Sequence, residues 1–299
     1  MFVLAHLSDP HLGPLPQPRI SDLASKRLLG FVNWHLRRGR QHHSDVLAAL
    51  VADMKAAAPD HIAVTGDLVN IALPVEYEAA RLWLESVGPP DRVSLVPGNH
   101  DIYVHATSGH ARSLWDEYMR GDAGPAPTAP LHFPFVRRRG PMALIGISTA
   151  LPTFPLLATG KVGAEQIEGL ARSLAQLRHE GLYRVVLIHH PPAGKENWQK
   201  RLVDSGAVRH VLAEHGADLV IHGHHHLHSV EWIDGPSGRI PVVGVPSASI
   251  VQGSDDDPAA YHLFRVDGTP GAWRCELVMR GLAAGRAGIV ELKQLTLGG

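Results

Sequence analysis

The chain has 299 residues, enough for one large domain or two, and its 28 lysines and arginines against 29 aspartates and glutamates leave a formal charge of −1. That balance excludes a global positive field able to gather nucleic acid or an anionic membrane, so an anion must be attracted locally and no specific nucleic-acid binding is expected. The single Cys275 excludes an intramolecular disulfide, and with neither a basic leader nor a long apolar run after Met1 the expectation is a cytoplasmic protein.

Taken in order, the apolar run 2–7 reads as a strand that stops just before Asp9 and His11. Residues 13–43 then form an insertion that reads as a basic amphipathic helix. Apolar Ile20, Leu23, Leu28, Phe31, Val32, Trp34 and Leu36 alternate there with Arg19, Lys26, Arg27, Arg37, Arg38 and Arg40, opposed only by Asp22. Such a helix can cover a cleft, select an acidic substrate, rest on an anionic lipid surface through residues 19–40, or simply pack with a solvated face. Helical patterns at 44–57, 75–87, 164–180 and 208–215 alternate with strand-like runs at 61–65, 93–96, 142–148, 184–189, 219–222 and 240–245. This is the rhythm of an α/β fold, and Leu47, Leu50, Val51 and Met54 recur at the spacing of one helical stripe. Strand-like segments at 260–266, 272–279 and 289–297 have no helices between them, so an antiparallel addition is expected in a strand-rich part from about 240 to 299. The proline- and alanine-rich stretch 121–134 reads as a surface loop, 255–258 as a turn, Arg137 to Arg139 as a solvated charge run, and Cys275 as buried packing. With no internal repeat, the expectation is one domain over 1–299.

Candidate metal ligands follow the ends of predicted strands, the edge of an open α/β sheet where ligands collect. Asp9 and His11 are two apart, which in extended backbone points both to one side. Asp67 follows Gly66, and its two oxygens suit it to bridge two cations. Asn99 offers an amide oxygen, and His189, His224 and His226 offer imidazoles. Two divalent ions bring four positive charges against the carboxylates of Asp9 and Asp67, so an anionic ester finds its counter-charge here despite the neutral chain. Mixed nitrogen and oxygen ligands suit Mn, Fe, Zn or Co. Further imidazoles at His190, His222, His225 and His228 read as supporting residues. Trp198 beside Asn197 and Arg201 reads as a candidate platform for a base and a phosphate.

In these residues, Asp9/His11, Gly66-Asp67, Gly98-Asn99-His100-Asp101, His189-His190-Pro191 and Gly223-His224-His225-His226, the chain resembles the calcineurin-like metallophosphoesterases across positions 9 to 226. The resemblance implies a four-layer α/β/β/α sandwich. It implies one metal on Asp9, His11, Asp67 and His226, and a second on Asp67, Asn99, His189 and His224. It also implies that His100 acts on a phosphoryl oxygen or the leaving group, with Asp101 orienting it. Asn70 stands where purple acid phosphatases carry a tyrosine ligand, which sets that branch aside and makes Asn70 a candidate substrate contact. The run Leu68-Val69-Asn70-Ile71 lacks the arginine of Ser/Thr protein phosphatases. Gly66-Asp67-Leu68 followed by Glu76-Tyr77 is similar to class III cyclic nucleotide phosphodiesterases, with Ala72 replacing a frequent glycine.

The expectation is therefore a dinuclear phosphodiesterase acting on a small-molecule phosphate ester of cyclic nucleotide or glycerophosphodiester type. Hydroxide between the ions attacks phosphorus, and a homo-oligomer is compatible with the reading. The alternative is a nucleotide or lipid-linked pyrophosphatase resembling UDP-2,3-diacylglucosamine pyrophosphatases. A scaffold without turnover would be free to lose ligands, and this chain keeps the whole set.

Overall fold

A computed structural model describes residues 1–299 except 24, 106–108, 123–132, 195–196, 252–255, 287 and 299, and the side chains of Arg112 and Arg286. Most of the 121–134 loop, and Asp255 of the 255–258 turn, lie outside the described residues. Two six-stranded sheets carry the fold. The first contains β1 (Phe2–Leu7), β2 (His61–Val64), β3 (Val93–Leu95), β10 (Ala260–Asp267), β11 (Arg274–Leu282) and β12 (Ile289–Leu297), in the order β12-β11-β10-β1-β2-β3. The second contains β4 (Phe135–Arg139), β5 (Met142–Gly146), β6 (Tyr183–Leu187), β7 (Leu219–His222), β8 (Ser229–Gly235) and β9 (Gly238–Gly244), in the order β4-β5-β6-β7-β9-β8. Both are mixed: β1, β2 and β3 run parallel, as do β5, β6, β7 and β9, while β10, β11, β12, β4 and β8 pair antiparallel to their neighbours.

The period-two pattern of the strands shows why two layers form. In β5, β6 and β7 alternate residues divide between two cores. Met142, Leu144, Val185, Leu187, Leu219 and Ile221 join the first sheet, whereas Ala143, Ile145, Val186 and Val220 face the outer helices. A sheet apolar on both faces must be covered on both, which is the normal setting of parallel strands. The outer cover is α5 (Ala164–Glu180) and α6 (Ser205–His215). Leu170, Leu174 and Leu177 of α5 recur on one stripe. Across the molecule, α2 (Ser44–Ala56) lies on β10, β11 and β12 through Val46, Leu47, Leu50, Val51 and Met54. Next to it, α3 (Pro74–Val87) buries Tyr77, Ala80, Leu84 and Val87. The expected α/β/β/α sandwich is the architecture found. No helix among the described residues is long and apolar enough to cross a membrane.

Two strands escaped the sequence reading. β8 is a partly exposed edge strand, and β4 contains Arg137 to Arg139, read as a charge run. The correction is physical. Arg137 is buried, and its guanidinium donates to the carbonyls of Arg120 (2.6 Å), Pro90 (2.5 Å), Val93 (2.7 Å) and Glu117 (2.6 Å). Burial lowers its pKa to about 10. Only Arg138 and Arg139 reach acids, Glu180 and Asp122. The insertion is also not one helix. It breaks into a 3-10 turn at Ile20–Leu23, α1 (Arg27–Leu36), and a second 3-10 turn at Arg38–Arg40. Between β3 and β4 lie a short α4 (His110–Leu114) and a 3-10 turn at Asp116–Met119. Cys275 is buried in β11, as expected.

Replacing Arg137 with Met strands buried carbonyls without a donor, and urea unfolding is expected to show a loss of about 2–4 kcal/mol. A loss below half a kilocalorie would mean water serves those carbonyls equally well.

Candidate metal centre

The C-terminal ends of β1, β2, β3, β6 and β7 bring the candidate ligands together. Asp9 Oδ1 lies 3.2 Å from His226 Nε2 and 3.9 Å from His11 Nε2. Asp67 Oδ2 lies 3.8 Å from His11 Nε2 and 3.5 Å from His189 Nε2, and Asn99 Oδ1 is 3.3 Å from that same His189 nitrogen. Asp9 with His11 and His226 forms one close group, and Asp9 with Asp67 and His189 another; His224 sits beside His189 and His190 in a third. Asp67 therefore stands between two donor sets.

Backbone carbonyls choose the imidazole nitrogen left for a cation. His11 Nδ1 faces Val69 O (3.3 Å), His189 Nδ1 faces Thr65 O (2.6 Å), and His224 Nε2 faces Lys200 O (2.9 Å). Such bonds orient a ligand ring and fix its tautomer. Five residues that the motifs supply have positive φ: Asp9 (52°), His11 (40°), Asp67 (56°), His224 (71°) and His226 (57°). This corrects the extended-pair reading, because Asp9 and His11 reach one side through left-handed turns rather than through a strand. Non-glycine residues held there store strain that the surroundings must hold in place. One restraint is visible: Ser247 Oγ donates to Asp9 O at 2.6 Å. Glycine makes the close approach possible. A Cβ on Gly98 would stand 2.2 Å from Asp67 Oδ1, and one on Gly223 2.3 Å from Asp9 Oδ2.

His100 lies against the cleft with Nδ1 at 2.5 Å from the Asn70 carbonyl. Burial, opposed by Asp67 and reinforced by Arg38, lowers its pKa to about 4, so the ring is neutral near pH 7. Among the described residues Asp101 makes no direct hydrogen bond to this ring. Its buried carboxylate accepts the amides of Asp67 (2.8 Å), Leu68 (2.8 Å), Val69 (3.2 Å) and Gly98 (2.9 Å), which pins the turn carrying Asp67. Tyr77 and Glu76 act on the same turn. Tyr77 donates its hydroxyl to Asp101 O, and Glu76 accepts the amides of Asn70, Ile71 and Leu73. Asn70 itself is buried, donating Nδ2 to Leu12 O at 2.8 Å, so it supports His100 rather than facing a substrate.

The cleft has a volume of about 370 Å³. Its lining includes Asp67, Asn99, His100, His224 and His226. The segment after β6 contributes Lys200, while Trp198 is 65% exposed and neither it nor Arg201 lines the cleft. The candidate stacking platform is thereby corrected. Of the extra imidazoles, His190 is fully engaged by Thr149 Oγ1 (2.7 Å) and Ala158 O (3.0 Å), and His228 pairs with His262 (3.0 Å). Sequence reasoning missed Asp256, 3.7 Å from His226 Nδ1, and Arg38 as members of the cleft. Asp256 carries no motif, and Arg38 was one of six basic residues with nothing to single it out.

A two-sheet sandwich that collects carboxylate, amide and imidazole donors at its strand ends defines the class of metal-dependent phosphoric ester hydrolases. The sequence model of the calcineurin-like phosphoesterase family matches residues 2–228, and the chain belongs to that family. It is 24% identical over 234 residues to a probable cyclic nucleotide phosphodiesterase of Synechococcus sp., covering 77% of this chain and 80% of that one. It is also 33% identical over 100 residues to the glycerophosphodiester phosphodiesterase GpdQ of Enterobacter lignolyticus, covering 33% of this chain and 30% of the relative. Among solved structures, a dimetal phosphatase from Danio rerio superposes with a TM-score of 0.57 at 12% identity, covering 99% of this chain and 98% of that one. A purple acid phosphatase from yellow lupin gives 0.58 at 12%, covering 99% and 53%. These structures share the fold.

Protons and cations compete for the ligand atoms. Burial would lower His189, but the Asp67 carboxylate overrides it and raises its pKa to about 9. Below that value the ring holds a proton that a cation must displace. Apparent metal affinity is therefore expected to rise from pH 7 toward pH 9, with proton release measurable by calorimetry in buffers of different ionisation enthalpy. Affinity independent of pH over that window would contradict the assignment of His189. Gly98→Ala is expected to lose bound metal, read by elemental analysis, because the new methyl occupies the space of Asp67 Oδ1.

Proposed function

We propose that the chain hydrolyses a phosphodiester of a small molecule, of cyclic nucleotide or glycerophosphodiester type, with two transition-metal ions in the cleft. The observation that carries this reading is Asp67 Oδ2, 3.8 Å from His11 on one side and 3.5 Å from His189 on the other. A carboxylate so placed fits the shared ligand of a cation pair. Asp9, His11, Asp67 and His226 would hold one ion, and Asp67, Asn99, His189 and His224 the other. The mixed oxygen and nitrogen donors fit Mn, Fe, Zn or Co. When bound, the pair supplies Lewis acidity toward the phosphoryl group and a water activated at neutral pH.

The chain's own groups then act on the ester. His100, kept in one orientation by the Asn70 carbonyl, presents Nε2 to the departing alcohol oxygen; that nitrogen takes up a proton from solvent as the ester binds and passes it to the leaving alkoxide. Its low pKa in the free protein means an anionic substrate must first raise its proton affinity. The Asp101 carboxylate keeps the 67–69 turn rigid, so Asp67 acts from a fixed position. Both curated relatives carry phosphodiesterase names, which supports a diester over a monoester.

A second reading, a lipid-linked pyrophosphatase at a membrane surface, is favoured by one feature. In α1, Leu28, Leu29, Val32 and Leu36 share the outward face and are 44–68% exposed. Detergent or vesicle dependence of turnover would select it. Absent that dependence, the cytoplasm is the proposed location.

Asp67→Ala is expected to lower kcat/KM by more than about 10³-fold, because both ions lose their common ligand. A panel of cyclic nucleotides, glycerophosphodiesters, nucleotide pyrophosphates and monoesters, run on metal-analysed protein, checks the substrate class. Undiminished turnover by the variant, or preference for monoesters, would overturn the reading.

A further inference from the structure

The insertion places a guanidinium among the ligands. Arg38, in the 3-10 turn after α1, puts Nη2 at 2.6 Å from His11 Nε2 and Nη1 at 3.1 Å from His100 Nε2. Both imidazoles already direct Nδ1 at a backbone carbonyl, so each offers Arg38 a neutral lone pair. Among the described residues no carboxylate lies within ion-pair distance of this guanidinium, in contrast to Arg280, which pairs with Asp53 at 2.8 Å. A half-buried guanidinium that lines the cleft and hydrogen-bonds only to neutral imidazoles is an incomplete arrangement, one that an anion in the cleft would complete.

The insertion is built to hold Arg38 there. Arg27 of α1 donates through Nε to Ile71 O at 2.9 Å and through Nη2 to Ala72 O at 2.5 Å, which fastens the helix to the loop that follows Asp67. Trp34 stacks on His42 (6.1 Å, 11°), and His42 packs edge-on against His11 (4.8 Å). Gly30 lies so close to Ile71 and Tyr103 that a Cβ would stand 2.6 Å from Ile71. Tyr103 in turn stacks on His100 at 5.2 Å and receives the Lys26 ammonium over its face at 4.4 Å.

We propose that Arg38 is a substrate-binding residue that grips a non-bridging phosphoryl oxygen between His11 and His100, making the 13–43 insertion part of the recognition site for an anionic phosphoryl group. This rests on the hydrolase reading above. One lone pair on His11 cannot serve both a guanidinium and a cation, so in the ion-loaded protein Arg38 exchanges that partner for an oxygen of the ester. A planar guanidinium takes two oxygens of one phosphoryl group at once, an arrangement an ammonium does not reproduce. The anionic group recognised is the phosphate itself, independent of what alcohol it carries.

The test is calorimetric titration of inorganic phosphate into ion-loaded protein: wild type, Arg38→Ala, Arg38→Gln and Arg38→Lys, with Arg40→Ala as control, all after elemental analysis of bound metal. Removing a charged hydrogen-bond partner is expected to weaken phosphate about 10- to 100-fold in the Ala and Gln variants, with partial recovery in Lys and no change in the control. Ion content should be equal throughout, and KM for the best ester should rise in step with the phosphate Kd. If Arg38→Ala does not fold, Arg38→Gln, which keeps the volume, decides. Equal phosphate affinity in wild type and folded Arg38 variants overturns the proposal, as does wild type that binds both ions but no phosphate. Wild type that binds phosphate through Arg38 yet hydrolyses no ester in the panel overturns the proposed function and leaves this site standing.

Discussion

The carboxylate of Asp67 is the contact on which the rest depends. It sits where the first sheet, through β2, meets the second, through His189 after β6, and its oxygen faces imidazoles from both. A charged group buried this deeply needs partners on every side, since uncompensated burial of a carboxylate costs several kilocalories. His189 and the His100 amide supply them, the latter at 2.7 Å from Oδ1, and they hold the carboxylate well below its usual range against the opposing effect of burial. The two sheets are thus tied by electrostatics as well as by the apolar layer between them.

Around that point the molecule distributes three tasks among different parts of the chain. Strand ends present the donor atoms. Buried carboxylates one step removed, Asp101 and Glu76, hold amides of the 67–73 loop, and such bonds restrain the left-handed backbone of Asp67. The insertion adds the cationic side chains of Arg37 and Arg38 to the cleft, so a nearly neutral protein carries positive charge beside the donor set.

Much of this was legible in the residues. The alternation of strand-like runs with helical patterns, the stripe of α2, and the ligand motifs after apolar runs all declare themselves through spacing, because periodicity records which faces are buried. What spacing does not record is a partner distant in sequence. Arg137 looked solvated in a run of three arginines, yet four carbonyls from 90, 93, 117 and 120 surround it. Asn70 and Asp101 looked like substrate-facing or ring-orienting groups by position in a motif. Their neighbours show instead that they brace the turn and the imidazole. Trp198 looked like a stacking platform and stands in solvent.

The sequence by itself determined the donor chemistry, the α/β alternation and the family, since each is carried by residue type and local order. Tertiary structure decided which oxygen lies between two imidazoles, which nitrogen of each ring is free, and that Arg38, out of six basic residues in one insertion, is the one that reaches His11 and His100. Those are distances between segments tens of residues apart. They follow from how the sheets and the insertion pack, which no local pattern encodes.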